Sequence, residues 1–269
     1  MLKKRIIFAL LYDNGFFNLS RNFRLQRVGD LDWLIRNYDF ARTASYVDEL
    51  VLLNVSRQVS DSANFVETLR FLAEICFVPI TAGGRISNFD HARVLLSNGA
   101  DKVLVNSLAA ENSREVFRIA ESYGRQSIML GVDVLRRSGV VTPVTRHGAN
   151  ALITDVFEHL STMAALPVGE IYLTSIDRDG TGNGFDSELL DLLPQPLEQP
   201  LILAGGAAKP EHFAHLLDDP RVSALSTAHL FNFVGDGLLR ARNLLLSKGH
   251  LLPKWQPEEI IKLKGSLQQ

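Results

Sequence analysis

One cysteine, Cys76, stands in a chain of 269 residues. A single thiol closes no intramolecular disulfide and cannot supply a thiolate metal cluster, so the sequence fits a reducing compartment. An excess of either charge is equally lacking: 28 Lys+Arg oppose 30 Asp+Glu, for a formal net charge of −2. Without a basic stripe to neutralise many phosphates, no duplex nucleic acid is expected as a main partner. Long apolar runs are missing as well, since none approaches the ~18 to 20 uninterrupted residues that span a bilayer. Lys3, Lys4 and Arg5 imitate the start of a secretory leader. The apolar run that follows, Ile6 to Tyr12, stops at Asp13-Asn14-Gly15, too short for a leader core and without a small-residue cleavage pattern. The expectation is a cytoplasmic protein with no membrane association.

What is present is material for a core. Hydrophobic residues make up 46% of the chain and charged ones 22%, the balance of a globular protein rather than a disordered one. Short runs rich in Val, Ile and Leu recur, each followed by a longer amphipathic stretch. They predict strands at Arg5 to Leu11, Glu49 to Val55, Val78 to Thr81, Lys102 to Val105, Ser127 to Asp133, Glu170 to Thr174, Leu201 to Ala204 and Ala224 to Ser226. Continuous apolar runs mark strands covered on both faces, as in a parallel sheet wrapped by helices. Amphipathic segments such as Ala63 to Glu74 and Ser113 to Tyr123 fall between them, and no Ser/Gly/Pro-rich linker divides the chain. Eight such units predict an α/β fold, a single (β/α)8 TIM barrel occupying residues 1–269, rather than a doubly wound sheet.

An internal repeat supports this. A gapless shift of 122 residues lays Ala82-Gly83-Gly84 on Ala204-Gly205-Gly206 and Leu11 on Asp133, and a shift of 121 lays Asp48-Glu49-Leu50 beside Gly169-Glu170-Ile171. Any two strand-helix units share some likeness. The ordered agreement of several landmarks instead predicts two related half-barrels of four units each.

Barrel active sites are built at the carboxyl ends of the strands. Paired glycines there, Gly83-Gly84 and Gly205-Gly206, let backbone N–H groups approach an anion without obstruction by Cβ. Asn106-Ser107 and Thr227-Ala228-His229 end the neighbouring strands and would complete two phosphate sites. One Gly-Gly pair alone would read as a tight turn; the duplication favours phosphates at both ends of a substrate. Asp133 closes the fifth strand, and Asp179 follows the sixth in Asp177-Arg178-Asp179-Gly180-Thr181. Either carboxylate can serve as general acid or base if its pKa is adjusted by burial or neighbours. Asp177 or Asp179 can equally be a turn cap, with Asp179 the stronger catalytic candidate because glycine surrounds it. At the opposite ends, Arg5, Glu49, Lys102 and Glu170 begin four strands and can close a ring of alternating charge. Taken alone, such a ring is a salt-bridge plug. The seven histidines form no compact ligand set, so no metal is expected.

Over nearly its whole length the chain resembles the cyclase subunit of imidazole glycerol phosphate synthase, a histidine-biosynthesis family. The resemblance rests on Lys4-Arg5-Ile6-Ile7, Asp48-Glu49-Leu50-Val51, Gly99-Ala100-Asp101-Lys102-Val103, Leu173-Thr174-Ser175-Ile176-Asp177-Arg178-Asp179-Gly180-Thr181 and Gly205-Gly206-Ala207. It implies a duplicated barrel whose top binds a bisphosphorylated small molecule and whose bottom docks a glutaminase subunit as a heterodimer. Ammonia then passes through the barrel, without a cofactor. By this similarity Arg5, Glu49, Lys102 and Glu170 are the gate. Gly83, Asn106, Ser107, Gly180, Gly206 and Ala228 match the family's phosphate-binding positions, beside Gly84, Gly205 and His229 read from the loops themselves, and the counterparts of Asp133 and Asp179 are catalytic.

Three positions depart from the family pattern. Leu11 holds the place of a catalytic aspartate, Leu19 that of a lysine in the following loop, and Ala228 that of a small hydroxyl residue. Leucine transfers no proton, and a general acid/base group typically contributes roughly 10² to 10⁴-fold. The combination resembles a paralogous branch that supplies ammonia for converting acetamido to acetamidino sugars in lipopolysaccharide and other surface-polysaccharide pathways, with a third, sugar-modifying enzyme. The alternatives are a functional cyclase (lyase) of histidine biosynthesis, and a non-catalytic scaffold that activates a glutaminase.

Overall fold

The computed structural model describes residues 3–37, 46–57, 62–228 and 237–253. Among the described residues the strands are, in chain order, β1 (Arg5–Asp13), β2 (Phe16–Arg21), β3 (Arg24–Gly29), β4 (Glu49–Asn54), β5 (Ile80–Gly83), β6 (Lys102–Val105), β7 (Ile128–Arg137), β8 (Val140–Thr145), β9 (Asn150–Ala151), β10 (Glu170–Ser175), β11 (Leu201–Ala204) and β12 (Val222–Thr227). Eight of them, β1, β4, β5, β6, β7, β10, β11 and β12, pair in parallel with their neighbours, and β12 returns to β1. The sheet is thus a closed barrel with helices between strands, the (β/α)8 architecture the sequence predicts. All eight expected strands are found. The first and fifth run longer because each continues into an antiparallel excursion above the barrel, β2–β3 after β1 and β8–β9 after β7.

The helices follow the amphipathic segments. Ser62–Ile75 buries Phe65, Leu69 and Leu72, and Ser113–Tyr123 buries Val116 and Ile119, the spacing of one helical face. Asn88 caps Phe89–Leu96 by accepting from the His91 amide, and Asp155 caps Val156–Ala164 by accepting from Glu158.

Strand periodicity divides the core in two. Ile6, Phe8, Leu10 and Tyr12 of β1 join the large cluster between sheet and helices, whereas Ile7 and Ala9 join a second one inside the barrel with Val51, Leu104, Met129, Tyr172, Ile202, Ala204 and Ala224. Each inward file therefore runs from one mouth to the other: Arg5-Ile7-Ala9-Leu11, Glu49-Val51-Leu53, Lys102-Leu104-Asn106, Glu170-Tyr172-Thr174. Charged residues begin these files and mouth-lining residues end them.

The pairing registers refine the repeat. Ile7 pairs with Glu49 as Met129 pairs with Glu170, so the halves are offset by 122 residues in β1/β7 and by 121 in β4/β10. The offset of 121 also holds for β5/β11, since Leu50 pairs with Ile80 and Ile171 with Leu201. Gly84 therefore corresponds to Gly205, one residue away from the gapless match. Both have positive φ, and a Cβ would lie 2.0 Å from the Asn54 carbonyl oxygen at Gly84 and 2.7 Å from that of Ser175 at Gly205. Each glycine lets its loop pass directly over the end of the neighbouring strand. By the same offset the counterpart of Gly206 (φ 104) is Arg85, held at φ 59.

Candidate active site

The carboxyl-terminal mouth is a cavity of about 1580 Å³ lined by Leu11, Leu53, Gly84, Asn106, Ser107, Asp133, Thr174, Asp179, Gly180, Gly205, Gly206 and Ala228, among others. The strand-end residues singled out by sequence thus converge. Asp133 accepts a hydrogen bond from Asn106 Nδ2 at 2.8 Å and another from Thr174. Burial pushes its carboxyl up to about 7; the neighbouring Asp179 adds to the rise, while the Thr174 and Asn106 hydrogen bonds oppose it. A carboxyl group near neutrality, with an edge open to the mouth, can both hold and release a proton.

Asp179 is held from above. Its Oδ2 accepts from Ser20 Oγ at 2.5 Å and from the Phe23 amide at 3.1 Å, and its backbone oxygen accepts from the Asn22 amide at 3.0 Å. The tip of the β2–β3 excursion thus folds across the mouth onto the loop after β10. Gly180 fits there because it lacks a side chain: a Cβ would lie 1.9 Å from the Ser20 carbonyl oxygen. Asp177 makes a long-range contact rather than the local turn cap considered for it, its Oδ2 accepting from the Arg136 amide at 2.5 Å and pinning the base of the second excursion.

The two glycine loops lie on opposite sides of the mouth. Gly84, Gly205 and Gly206 line it, whereas Gly83 is the last residue of β5 and makes room for Leu104, whose Cβ would be 2.8 Å from a Cβ at that position. Ser107 Oγ accepts from the Arg146 amide at 3.1 Å, which ties the β8–β9 turn to the first loop. Ala228 lines the second loop, and His229 lies outside the described residues.

At the other end of the barrel Arg5, Glu49, Lys102 and Glu170 form a closed square of alternating charge. Arg5 reaches Glu49 at 3.0 Å and Glu170 at 2.5 Å; Lys102 reaches Glu49 at 3.0 Å and Glu170 at 2.7 Å. Thr81 Oγ1 donates to Glu49 Oε1 at 2.6 Å. Burial works against the charge on Arg5, but Glu170 and Glu49 outweigh it and raise the pKa; burial likewise favours neutral Glu170, but Arg5 and Lys102 outweigh it and lower the pKa. Between square and mouth the axis is filled by the inner hydrocarbon cluster, with one polar step where Tyr172 Oη donates to Ser226 Oγ at 2.7 Å. Burial pushes the Tyr172 phenol up.

Sequence reasoning missed Thr174, Ser20, Phe23 and the Tyr172–Ser226 pair. Thr174 could have been found from the strand period, which turns it inward with Glu170. The excursion contacts carry no local signal, because they join residues more than 150 positions apart. Among the described residues no group of three or more His, Cys, Asp or Glu is placed to hold a metal ion, and no helix is long and apolar enough to cross a membrane.

The molecule is thus a closed (β/α)8 barrel with acidic and glycine-lined strand ends at one mouth and a charged ring at the other. The family model for histidine biosynthesis protein matches residues 34–233. A Parasynechococcus marenigrum protein, provisionally named imidazole glycerol phosphate synthase subunit hisF2, is 45% identical over 242 residues, covering 90% of each chain. Imidazole glycerol phosphate synthase subunit HisF of Metallosphaera sedula is 34% identical over 91% of this chain and 95% of its own length. That of Chlorobaculum tepidum is 32% identical over 93% and 98%. The chain belongs to this histidine biosynthesis family, alongside the HisF subunits of imidazole glycerol phosphate synthase.

Proposed function

We propose that the protein receives ammonia from a glutaminase subunit as part of a glutamine-dependent amidotransferase, and that it is a paralogue serving sugar amidination in surface-polysaccharide synthesis rather than imidazole formation. The carrying observation is the contrast between the two mouths. The four-charge square is complete, with every charge paired twice, while Leu11 lines the catalytic mouth at the place of a proton-transferring aspartate.

In this reading the square closes the glutaminase side, and opening it requires breaking two ion pairs on one cation. Ammonia then moves along the barrel axis by displacement of the inner side chains, because the interior of such barrels is a packed core rather than a pore. At the mouth Asp133 and Asp179 remain for proton handling, and the glycine loops with Asn106 and Ser107 hold phosphate. The ring-forming reaction lacks one member of its acid/base pair, so the nitrogen passes to another acceptor, with a third enzyme completing the transfer.

The names of the relatives favour a second reading, an active cyclase in which Asp133 or Asp179 compensates for Leu11. One experiment separates them. The protein is combined with its glutaminase and the histidine-pathway substrate, and glutamine hydrolysis and imidazole glycerol phosphate are both measured. The paralogue reading expects stimulated glutamine hydrolysis with almost no imidazole product. Product at an ordinary enzymatic rate overturns it. Stimulation that survives Lys102→Met, with ammonia use unchanged, points instead to a scaffold.

A further inference from the structure

We infer that the rim of the mouth beside the first glycine loop is a diphosphate-recognition site built from Arg57, Arg85 and His147, so that the ligand carries two linked phosphates at this end. This deepens the proposed phosphate-binding role of the mouth and rests on it.

The two halves differ at this rim. Arg85 stands where the second half has Gly206, and it keeps the left-handed backbone, φ 59, that Gly206 adopts freely at φ 104. A non-glycine residue there is strained, and strain of this kind persists where the surroundings over-determine it and gathers at ligand clamps. Arg146 and His147, at φ 51 and 58, repeat the feature at the tip of the excursion facing the same loop. All four side chains, Arg57 included, line the mouth.

Their charges are unequally used. Arg146 is spent on Glu111, with Nε and Nη2 each 2.8 Å from a carboxylate oxygen. Arg57 and Arg85 each donate to one backbone carbonyl, Arg57 to Phe23 and Arg85 to Ser56 at 2.8 Å. Among the described residues neither has a carboxylate partner. A guanidinium offers five N–H donors in a planar fork suited to phosphate oxygens, and one backbone carbonyl takes up only a small part of that capacity on each. His147 lies close enough for burial, Arg57 and Arg85 to hold its imidazole below the usual range, and an anion placed among the three would reverse the repulsion between them.

The charge gathered beside the loop suits a second, linked phosphate. Gly84, Asn106 and Ser107 supply the neutral donors for one phosphate, as Gly205 and Gly206 do at the far end. Arg85 follows Gly84 directly in the chain and lines the same mouth. A second phosphate one bridging oxygen further out would meet Arg57, Arg85 and His147, whereas a lone phosphate in the loop leaves them without an anion.

The test is calorimetric titration of the full chain with orthophosphate and with pyrophosphate. Pyrophosphate is expected to bind at least ~10-fold more tightly, the effect of adding charge-assisted hydrogen bonds to a bound anion. Arg57→Ala and Arg85→Gly should each remove most of that preference and leave orthophosphate affinity within about twofold. Arg85→Gly releases a left-handed strain, so loss of folding is not its expected consequence, and Arg70→Ala, whose guanidinium already pairs with Glu67 at 2.6 Å, should change neither affinity. Equal affinity for the two anions, no binding of either, or a preference that survives the Arg57→Ala/Arg85→Gly double variant overturns the inference. The ammonia reading fails separately, in the glutamine-hydrolysis assay, because these substitutions leave the four-charge square intact.

Discussion

Leu11 stands in the first half of the barrel where Asp133 stands in the second. Each ends an inward file, and each pairs with an equivalent residue of the next strand, Leu11 with Leu53 and Asp133 with Thr174. The mouth therefore has a carboxylate-bearing wall and a hydrocarbon wall. On the Asp133 side, burial is the leading influence on the carboxyl pKa, ahead of the Thr174 and Asn106 hydrogen bonds that oppose it.

Restoring the missing acid follows directly. Leu11→Asp, alone and with Leu19→Lys, should raise imidazole glycerol phosphate formation from near background by at least ~10²-fold, the usual contribution of a positioned general acid or base. A steady-state assay with saturating ammonium salt checks this without the glutaminase. Little gain would mean that the wild-type mouth already possesses a working pair.

Asp133 should also leave a signature in stability. Its folded pKa, about 7, is raised above the ordinary carboxylate value of 3.8. Between these values the native state keeps a proton that the unfolded chain has released, so stability falls as pH rises through this window and levels off above the folded pKa. The slope is at most about 1.4 kcal/mol per pH unit, less in practice because the carboxyl has an edge open to water in the mouth. Urea unfolding at pH 4.5, 6 and 7.5 should show the decline in the wild type and its loss in Asp133→Asn. Parallel curves for the two proteins would refute the assignment.

The excursion over the mouth depends on Gly180. In Gly180→Ala the new methyl would meet the Ser20 carbonyl oxygen at 1.9 Å, at a backbone φ of 65 that alanine tolerates poorly. The expected cost is about 1–3 kcal/mol, concentrated in β2–β3. Hydrogen exchange should accelerate at residues 16–29 and stay unchanged in β4 and β5. Ser20→Ala, which removes only the hydrogen bond to Asp179, should give a smaller effect of the same pattern.

Much of this architecture was legible in the sequence because the signals were local. Eight apolar runs marked the barrel strands, and the charged residues that begin them marked the square, since a period of two carries Glu49 or Lys102 inward at one end and Leu53 or Asn106 at the other. Asp133 and the glycine loops followed from the carboxyl-end rule. The gapless repeat was displaced by one residue at β5/β11, because hydrogen-bond register rather than residue identity sets which glycine packs on Asn54 or Ser175. The grip of Ser20 and Phe23 on Asp179, and the gathering of Arg57, Arg85 and His147, depend on where two long excursions land. No periodicity encodes such contacts.

The charged square makes a further demand on the barrel. Glu49 is 2% exposed in its side chain, against 18% for Lys102, so Lys102→Met leaves a deeply buried carboxylate with one cation instead of two and removes a cation from Glu170 as well. Breaking a buried pair by removing one partner typically costs 3–5 kcal/mol, and the partial wetting of Lys102 places the expected loss near ~3 kcal/mol. Combining Lys102→Met with Glu49→Gln removes the stranded charge, so the double variant should unfold at a higher urea concentration than Lys102→Met alone. If the single variant is as stable as wild type, the ion pairs contribute little to holding the barrel floor together.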